Sequence, residues 1–198
     1  MGDNSWNGSE HNCLFANVGG GQFMDVARPT GSDCVKDGRG VAVADFDGDG
    51  RLDVVINNNN ETPTLYLNDL KRSGNAVELR LVGAVAEGSG RARSTRDALG
   101  ACVRLTAGGK TMTRHVEAGG GYASESMRPL HFGLGAADHV DAVEIIWPSG
   151  RVQRIGGEEL RQVLGVNRLV TIKEAPGASA DVVVQASPLA RAGGGSAH

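Results

Sequence analysis

The sequence predicts an all-β protein, and three observations carry that prediction. Gly accounts for 30 of the 198 residues, about twice the average share. Apolar residues come in short runs bounded by Gly, Asn, Asp and Pro, and almost nowhere do they follow the 3.6-residue period of a helix. The glycines lack the every-third-residue spacing of collagen and cluster between the apolar runs, as tight turns between short strands require. Hydrophobic residues at 40% and charged residues at 22% supply a core and exclude wholesale disorder.

The elements follow in order. Leu14-Phe15 and Gln22 to Val26 flank Asn17-Val18-Gly19-Gly20-Gly21, a hairpin with a glycine turn. Val41 to Ala44 and Leu52 to Ile56 are compact apolar runs, as expected of strands buried on both faces. Asn57 to Asn60 forms a turn, since Asn tolerates left-handed backbone, and Thr64 to Leu67 follows Pro63. Beyond about residue 71 the texture changes. Val77 to Leu81 alternates apolar and polar and reads as a strand with one wet face; Ala101 to Thr106 repeats the pattern, and Thr111 to Glu117 returns after the turn Ala107 to Lys110. Val140 to Trp147 closes on Pro148-Ser149-Gly150-Arg151, where Pro presets φ. Val152 to Ile155 and Arg168 to Lys173 complete the strands, and only Glu158 to Leu164 looks helical. Residues 86–98, rich in Arg, and 118–135, rich in Gly, read as long loops, a class that is often functional. The tail at 175–198 is rich in Ala, Gly and Ser and is expected to be disordered, with Asp181 to Val184 as a candidate edge strand.

Composition also bounds function. A net charge of −3 offers no basic field for nucleic acid or membrane. No apolar run approaches the roughly 20 residues that span a bilayer. The polar start, Met1 to Asn12, lacks the regions of a signal peptide. Cys13, Cys34 and Cys102 are too few and scattered for a disulfide framework or zinc site. Buried free thiols are expected, with a Cys13–Cys34 bridge as the alternative in an exported chain.

The most specific signal is Asp45-Phe46-Asp47-Gly48-Asp49-Gly50-Arg51-Leu52-Asp53, with carboxylates at loop positions 1, 3, 5 and 9. Ca²⁺ is a hard cation that takes about 6–8 oxygens, and spacing by two lets carboxylates converge as the chain curls round it. Gly50 at position 6 permits the sharp turn, after which the Arg51 carbonyl can supply the next oxygen, with Leu52 anchoring the loop in the core. An EF-hand needs a bidentate Glu at position 12; here that position is Ile56, and the flanks are strand-like. The bland alternative is an acidic β-turn without an ion, but four carboxylates this close repel strongly unless a cation neutralises them. A structural role for the ion is expected, since no nucleophile or base adjoins it.

Two stretches here resemble known families. Leu14 to Val26 followed by Gly40 to Gly50 resembles an FG-GAP/VCBS-type repeat, which builds blades of integrin-α-like β-propellers. That resemblance implies Asp45, Asp47, Asp49 and Asp53 as side-chain ligands of Ca²⁺ and Arg51 as the backbone one. Ser94 to Ala101, Glu117 to Ser126, Leu130 to Gly135 and Val143 to Gly150 together are similar to an ASPIC/UnbV domain. The order of the two is that of bacterial members of the cartilage-acidic-protein-like group. The fold implied is a partial β-propeller blade segment at 1–71 with the Ca²⁺ loop, then a C-terminal antiparallel β-sandwich or barrel-like domain at 72–174. Propellers need about 4–8 blades, so a C-terminal part of a longer propeller, or a part that docks on other blades, is expected.

The remaining constellations have ordinary readings. His115 and Glu117 share a strand face and could act as acid and base, but most such pairs are solvated surface. Ser124, Ser126 and His131 lack a nucleophile elbow around either Ser. His131 and Phe132 read as pins for the glycine-rich loop, Arg91, Arg93 and Arg96 as a solvated basic loop or an anion site, and Trp147 as a core anchor. The function expected is a non-enzymatic, Ca²⁺-stabilised binding or adhesion module. Its partners would be a protein or carbohydrate ligand, or the remaining propeller blades, and the resemblance implies an extracellular or periplasmic setting. The alternative is a component of enediyne-type natural-product biosynthesis, with Tyr122 and His131 lining a small-molecule pocket.

Overall fold

The computed structural model describes residues 10–71, 74–84, 94–126, 129–156, 160, 165–175 and 185–188. The chain divides into two compact units. One comprises Met1–Ala44, Leu52–Asn68 and Gly119–Ser126; the other comprises Asp45–Arg51, Asp69–Ala118 and Met127–His198. The described residues are nearly all β, with mostly antiparallel pairing and no closed barrel, as the turn-punctuated sequence predicts.

In the first unit, β1 (Phe15–Gly19) and β2 (Gln22–Asp25) form an antiparallel hairpin. Its turn places Gly19, Gly20 and Gly21 at φ 89°, 59° and 74°, which only Gly adopts without a steric penalty. A one-turn helix that periodicity does not reveal, α1 (Ala27–Thr30), follows. Local hydrogen bonds hold it: Asp25 Oδ1 accepts from the Ala27 amide at 2.9 Å, and Thr30 Oγ1 donates to the Val26 carbonyl at 2.7 Å. Then β3 (Gly38–Ala44), β4 (Asp53–Asn58) and β5 (Thr64–Tyr66) form an antiparallel sheet in that order.

The expectation that β3 and β4 are buried on both faces fails. Val41 is 48% exposed and most of β3 is half-buried, because among the described residues β3 is an edge strand with a pairing neighbour on one side only. Segment Gly119–Ser126 belongs to this unit and partly occupies that edge, where Ser126 Oγ accepts the Val43 amide at 3.2 Å. Satisfying edge amides in this way limits strand addition by other chains.

The second unit contains β6 (Asn75–Val82), β7 (Cys102–Ala107), β8 (Lys110–His115), β9 (Leu130–Gly135), β10 (Ala142–Ile146), β11 (Val152–Gly156), β12 (Arg168–Lys173) and β13 (Gln185–Pro188). These make two four-stranded sheets, β11-β10-β7-β8 and β13-β12-β6-β9. Their inward residues form one apolar cluster, including Val77, Leu79, Val103, Leu105, Phe132, Ile145 and Ile172. That is sandwich packing, in which alternate residues of each strand face the core.

Three features depart from the sequence reading. β6 and β12 pair in parallel, so their sheet is mixed. β9 lies within the stretch read as a long glycine-rich loop. Its core residues Leu130, Phe132 and Leu134 alternate properly, but Gly133 and Gly135 disguise the pattern. β13 lies within the tail expected to be disordered and pairs antiparallel with β12, since backbone pairing needs no side-chain pattern. The helical-looking stretch 158–164 lies outside the described residues except for Leu160, which is fully buried.

Trp147 is buried as expected, and its indole Nε1 donates to Gln153 Oε1 at 3.0 Å. At the end of β12, buried Glu174 accepts from Ser149 Oγ at 2.5 Å and from the Ala84 amide at 2.9 Å. Burial pushes the Glu174 carboxyl up. Hydrogen bonds from Ser149, Ala84 and Ser94, with the Arg151 charge, outweigh it and hold the group below the ordinary carboxylate range.

Candidate metal centre

The loop between β3 and β4 curls as its spacing predicts. Gly48 and Gly50 take φ 77° and 86°, left-handed values that would strain any residue with a Cβ. Amides inside the loop then turn onto its own carboxylates. Asp49 N donates to Asp45 Oδ1 at 3.0 Å and to Asp47 Oδ1 at 3.1 Å, and Gly50 N donates to Asp45 Oδ2 at 2.8 Å. Arg51 N reaches Asp49 Oδ1 at 2.8 Å, and the Arg51 guanidinium pairs with Asp49 Oδ2.

Among the described residues, one group of three metal-ligating side chains comes together: Asp45, Asp47 and Asp49 each offer an oxygen, all within 4.8 Å of one another. Asp45 is half-buried, Asp47 exposed and Asp49 buried. Burial pushes the Asp45 carboxyl up, outweighing the amides of Gly50, Gly48 and Asp49 that favour its charged form. An all-oxygen donor set of this density fits a hard divalent cation such as Ca²⁺.

Asp53 is not one of the three. It opens β4, is 2% exposed, and accepts the Asn68 amide at 2.8 Å through Oδ1. The side chain of Arg51, expected only as a backbone ligand, is part of the loop's charge balance through Asp49.

Two further residues stand at this loop within the second unit, and the sequence singled out neither for it. His131 on β9 donates from Nε2 to the Gly50 carbonyl at 3.0 Å, so it pins the acidic loop. Glu78 on β6 pairs in register with His131. The alternation of Val77 to Leu81 made Glu78 a residue of the wet face, yet it is only 3% exposed. Burial first, and the neighbouring Asp45 charge second, push its carboxyl up to about 7 against the pull of Arg80. No local spacing marks Glu78, because its relation to the loop exists only once β6 and β9 are paired.

The other sequence candidates resolve simply. His115 ends β8, Glu117 lies beyond it, and both are exposed, as solvated surface should be. Tyr122 is 78% exposed, so it lines no enclosed pocket. Arg91 and Arg93 lie outside the described residues, while Arg96 is exposed and its carbonyl accepts the Gly83 amide at 3.0 Å. The cysteines are free, but Cys13 is exposed and Cys34 and Cys102 half-buried. The expectation of buried thiols fails because their segments lie at the surface of short strands and loops.

Comparison with known proteins follows the same division. Residues 3–56 match the FG-GAP-like repeat, residues 38–76 the FG-GAP repeat, and residues 90–179 the ASPIC and UnbV family. The chain therefore carries FG-GAP repeat sequence, the material of propeller blades, followed by an ASPIC/UnbV domain. Its relatives include cartilage acidic protein 1 of Mus musculus, 30% identical over 137 residues, covering 65% of this chain and 19% of the mouse protein. Cartilage acidic protein 1 of Xenopus tropicalis is 51% identical over 57 residues, and that of Homo sapiens 49% over 57 residues. Each of these covers 28% of this chain and 9% of the relative. The chain thus spans less than a fifth of the length of the curated relatives it matches.

Proposed function

We infer that this chain is a non-enzymatic, Ca²⁺-stabilised binding or adhesion module, part of a propeller-type protein that recognises protein or carbohydrate outside the cytoplasm. The observation that carries the reading is the convergence of Asp45, Asp47 and Asp49 within 4.8 Å in a loop between two strands. Asp53 and the Arg51 carbonyl join the ligand set by the pattern of the repeat. The relatives' printed name, cartilage acidic protein 1, supports a setting outside the cell. Among the described residues no helix is long and apolar enough to cross a membrane.

The ion's part is to cancel the mutual repulsion of the carboxylates and hold the loop curled. The chain's own residues then do the positioning. Gly48 and Gly50 shape the turn, and His131 fastens it through the Gly50 carbonyl. Binding surfaces on such a frame are loops and sheet faces, whose geometry depends on the frame being fixed.

The test is retention of the full chain on a glycan array and on immobilised matrix proteins, with Ca²⁺ and with chelator. Saturable binding that disappears with chelator is expected. Absence of saturable binding, or binding indifferent to Ca²⁺, would overturn the reading.

A further inference from the structure

The acidic loop has an unexplained neighbour. Along β6, Val77, Leu79 and Leu81 face the sandwich core, which places Glu78 and Arg80 on the opposite face. Arg80 on that face is exposed, as the outer face of a sandwich should be, whereas Glu78 is 3% exposed. Among the described residues its Oε1 is buried with no hydrogen-bond partner. A buried carboxylate oxygen without a partner is costly, and native structures pair such groups with a donor or a metal.

The register links it to the acidic loop through His131. Glu78 stands directly opposite His131, so the two side chains share a face. His131 Nε2 is 3.0 Å from the Gly50 carbonyl, inside the acidic loop. With Asp53 and the Arg51 carbonyl, the three carboxylates of the loop offer five donor groups, which leaves room for a carboxylate from elsewhere in a shell of about 6–8 oxygens.

We propose that Glu78 is a further ligand of the cation held by Asp45, Asp47 and Asp49, so that the ion ties the acidic loop to strand β6. The proposal rests on the reading of that loop as a cation site. It gives the ion a second task, since a residue 25 positions beyond Asp53 in the chain becomes part of the same coordination shell. It also accounts for a glutamate in a position where burial would otherwise favour an apolar or neutral residue.

Calorimetric titration of the full chain with Ca²⁺ alone tests this, comparing the unchanged protein with Asp47→Asn and Glu78→Gln. Bound waters would be counted from Eu³⁺ luminescence lifetimes in each. The unchanged protein is expected to bind one ion, and E78Q to bind it about tenfold or more weakly with about one additional water on the metal. Gln preserves the shape and removes the charge, so a Glu78 that lies near the ion without touching it would leave the water count unmoved. If E78Q does not fold, Glu78→Asp, which keeps the charge but shortens its reach, provides the same comparison. Equal affinity and water count in the variant, with D47N weakened, would overturn this proposal and leave the loop site standing. No Ca²⁺ binding by the unchanged protein would overturn both.

Discussion

Replacing Glu174 with Ala probes what holds the end of the second unit together. The side chain is 6% exposed and accepts from the Ala84 amide and from Ser149 Oγ. Truncation leaves both donors without their acceptor, and an unsatisfied buried donor costs about 1–3 kcal/mol. The expected loss is therefore about 2–6 kcal/mol, a drop of about 4–24 °C in Tm for a chain of this length. The pH dependence has a definite sign. The folded carboxyl is held below its ordinary range, by the Ser149, Ala84 and Ser94 hydrogen bonds and the Arg151 charge prevailing over burial. Its contribution is then fully present above the unfolded value and is lost as pH falls through the folded one. Urea denaturation of the unchanged protein and of E174A at neutral and acidic pH measures both effects. A difference below about 0.5 kcal/mol at neutral pH, within the range of ordinary surface substitutions, would refute the reasoning. A gap that widened on acidification would do the same.

Other perturbations follow from single side chains. Phe132→Ala empties a fully buried site in the sandwich core and is expected to cost about 3–5 kcal/mol, read by chemical denaturation; a loss under about 1 kcal/mol would contradict the assigned core. Cys13 is exposed, and the Asp25 charge beside it pushes its thiol up. Alkylation of native Cys13 near neutral pH should accelerate in Asp25→Asn, because the thiolate is the reactive form; an unchanged rate at Cys13, followed by peptide mapping, would dismiss that coupling.

Which features the sequence disclosed depends on how local their causes are. Asp45 to Asp53 is legible because spacing, turn glycines and strand flanks all lie between Val41 and Ile56. Strands β6, β7, β10 and β12 were legible because their alternation is nearly unbroken. β9 was not, since Gly133 and Gly135 occupy its outward positions and imitate a loop. The parallel pairing of β6 with β12 was also hidden, for strand patterning specifies faces and leaves partners open. Glu78 shows the limit most clearly. Val-Glu-Leu-Arg-Leu states that Glu78 and Arg80 share a face, but only the paired structure shows one covered and the other open. The apolar run at Val41 to Ala44 erred in the other direction: it indicates what a strand can bury, and an edge strand has fewer neighbours to bury it against.

The central claim is that Asp45, Asp47 and Asp49 hold Ca²⁺ in the folded chain. Thermal unfolding of the unchanged protein in saturating Ca²⁺ and in excess chelator tests it most directly. An ion that binds only the folded state adds about 2.7 kcal/mol at a hundredfold excess over its Kd, equivalent to about 5–10 °C for a chain of this size. The account predicts a rise of that order in Ca²⁺, lost in Asp47→Asn; a midpoint that is the same in Ca²⁺ and chelator would contradict it.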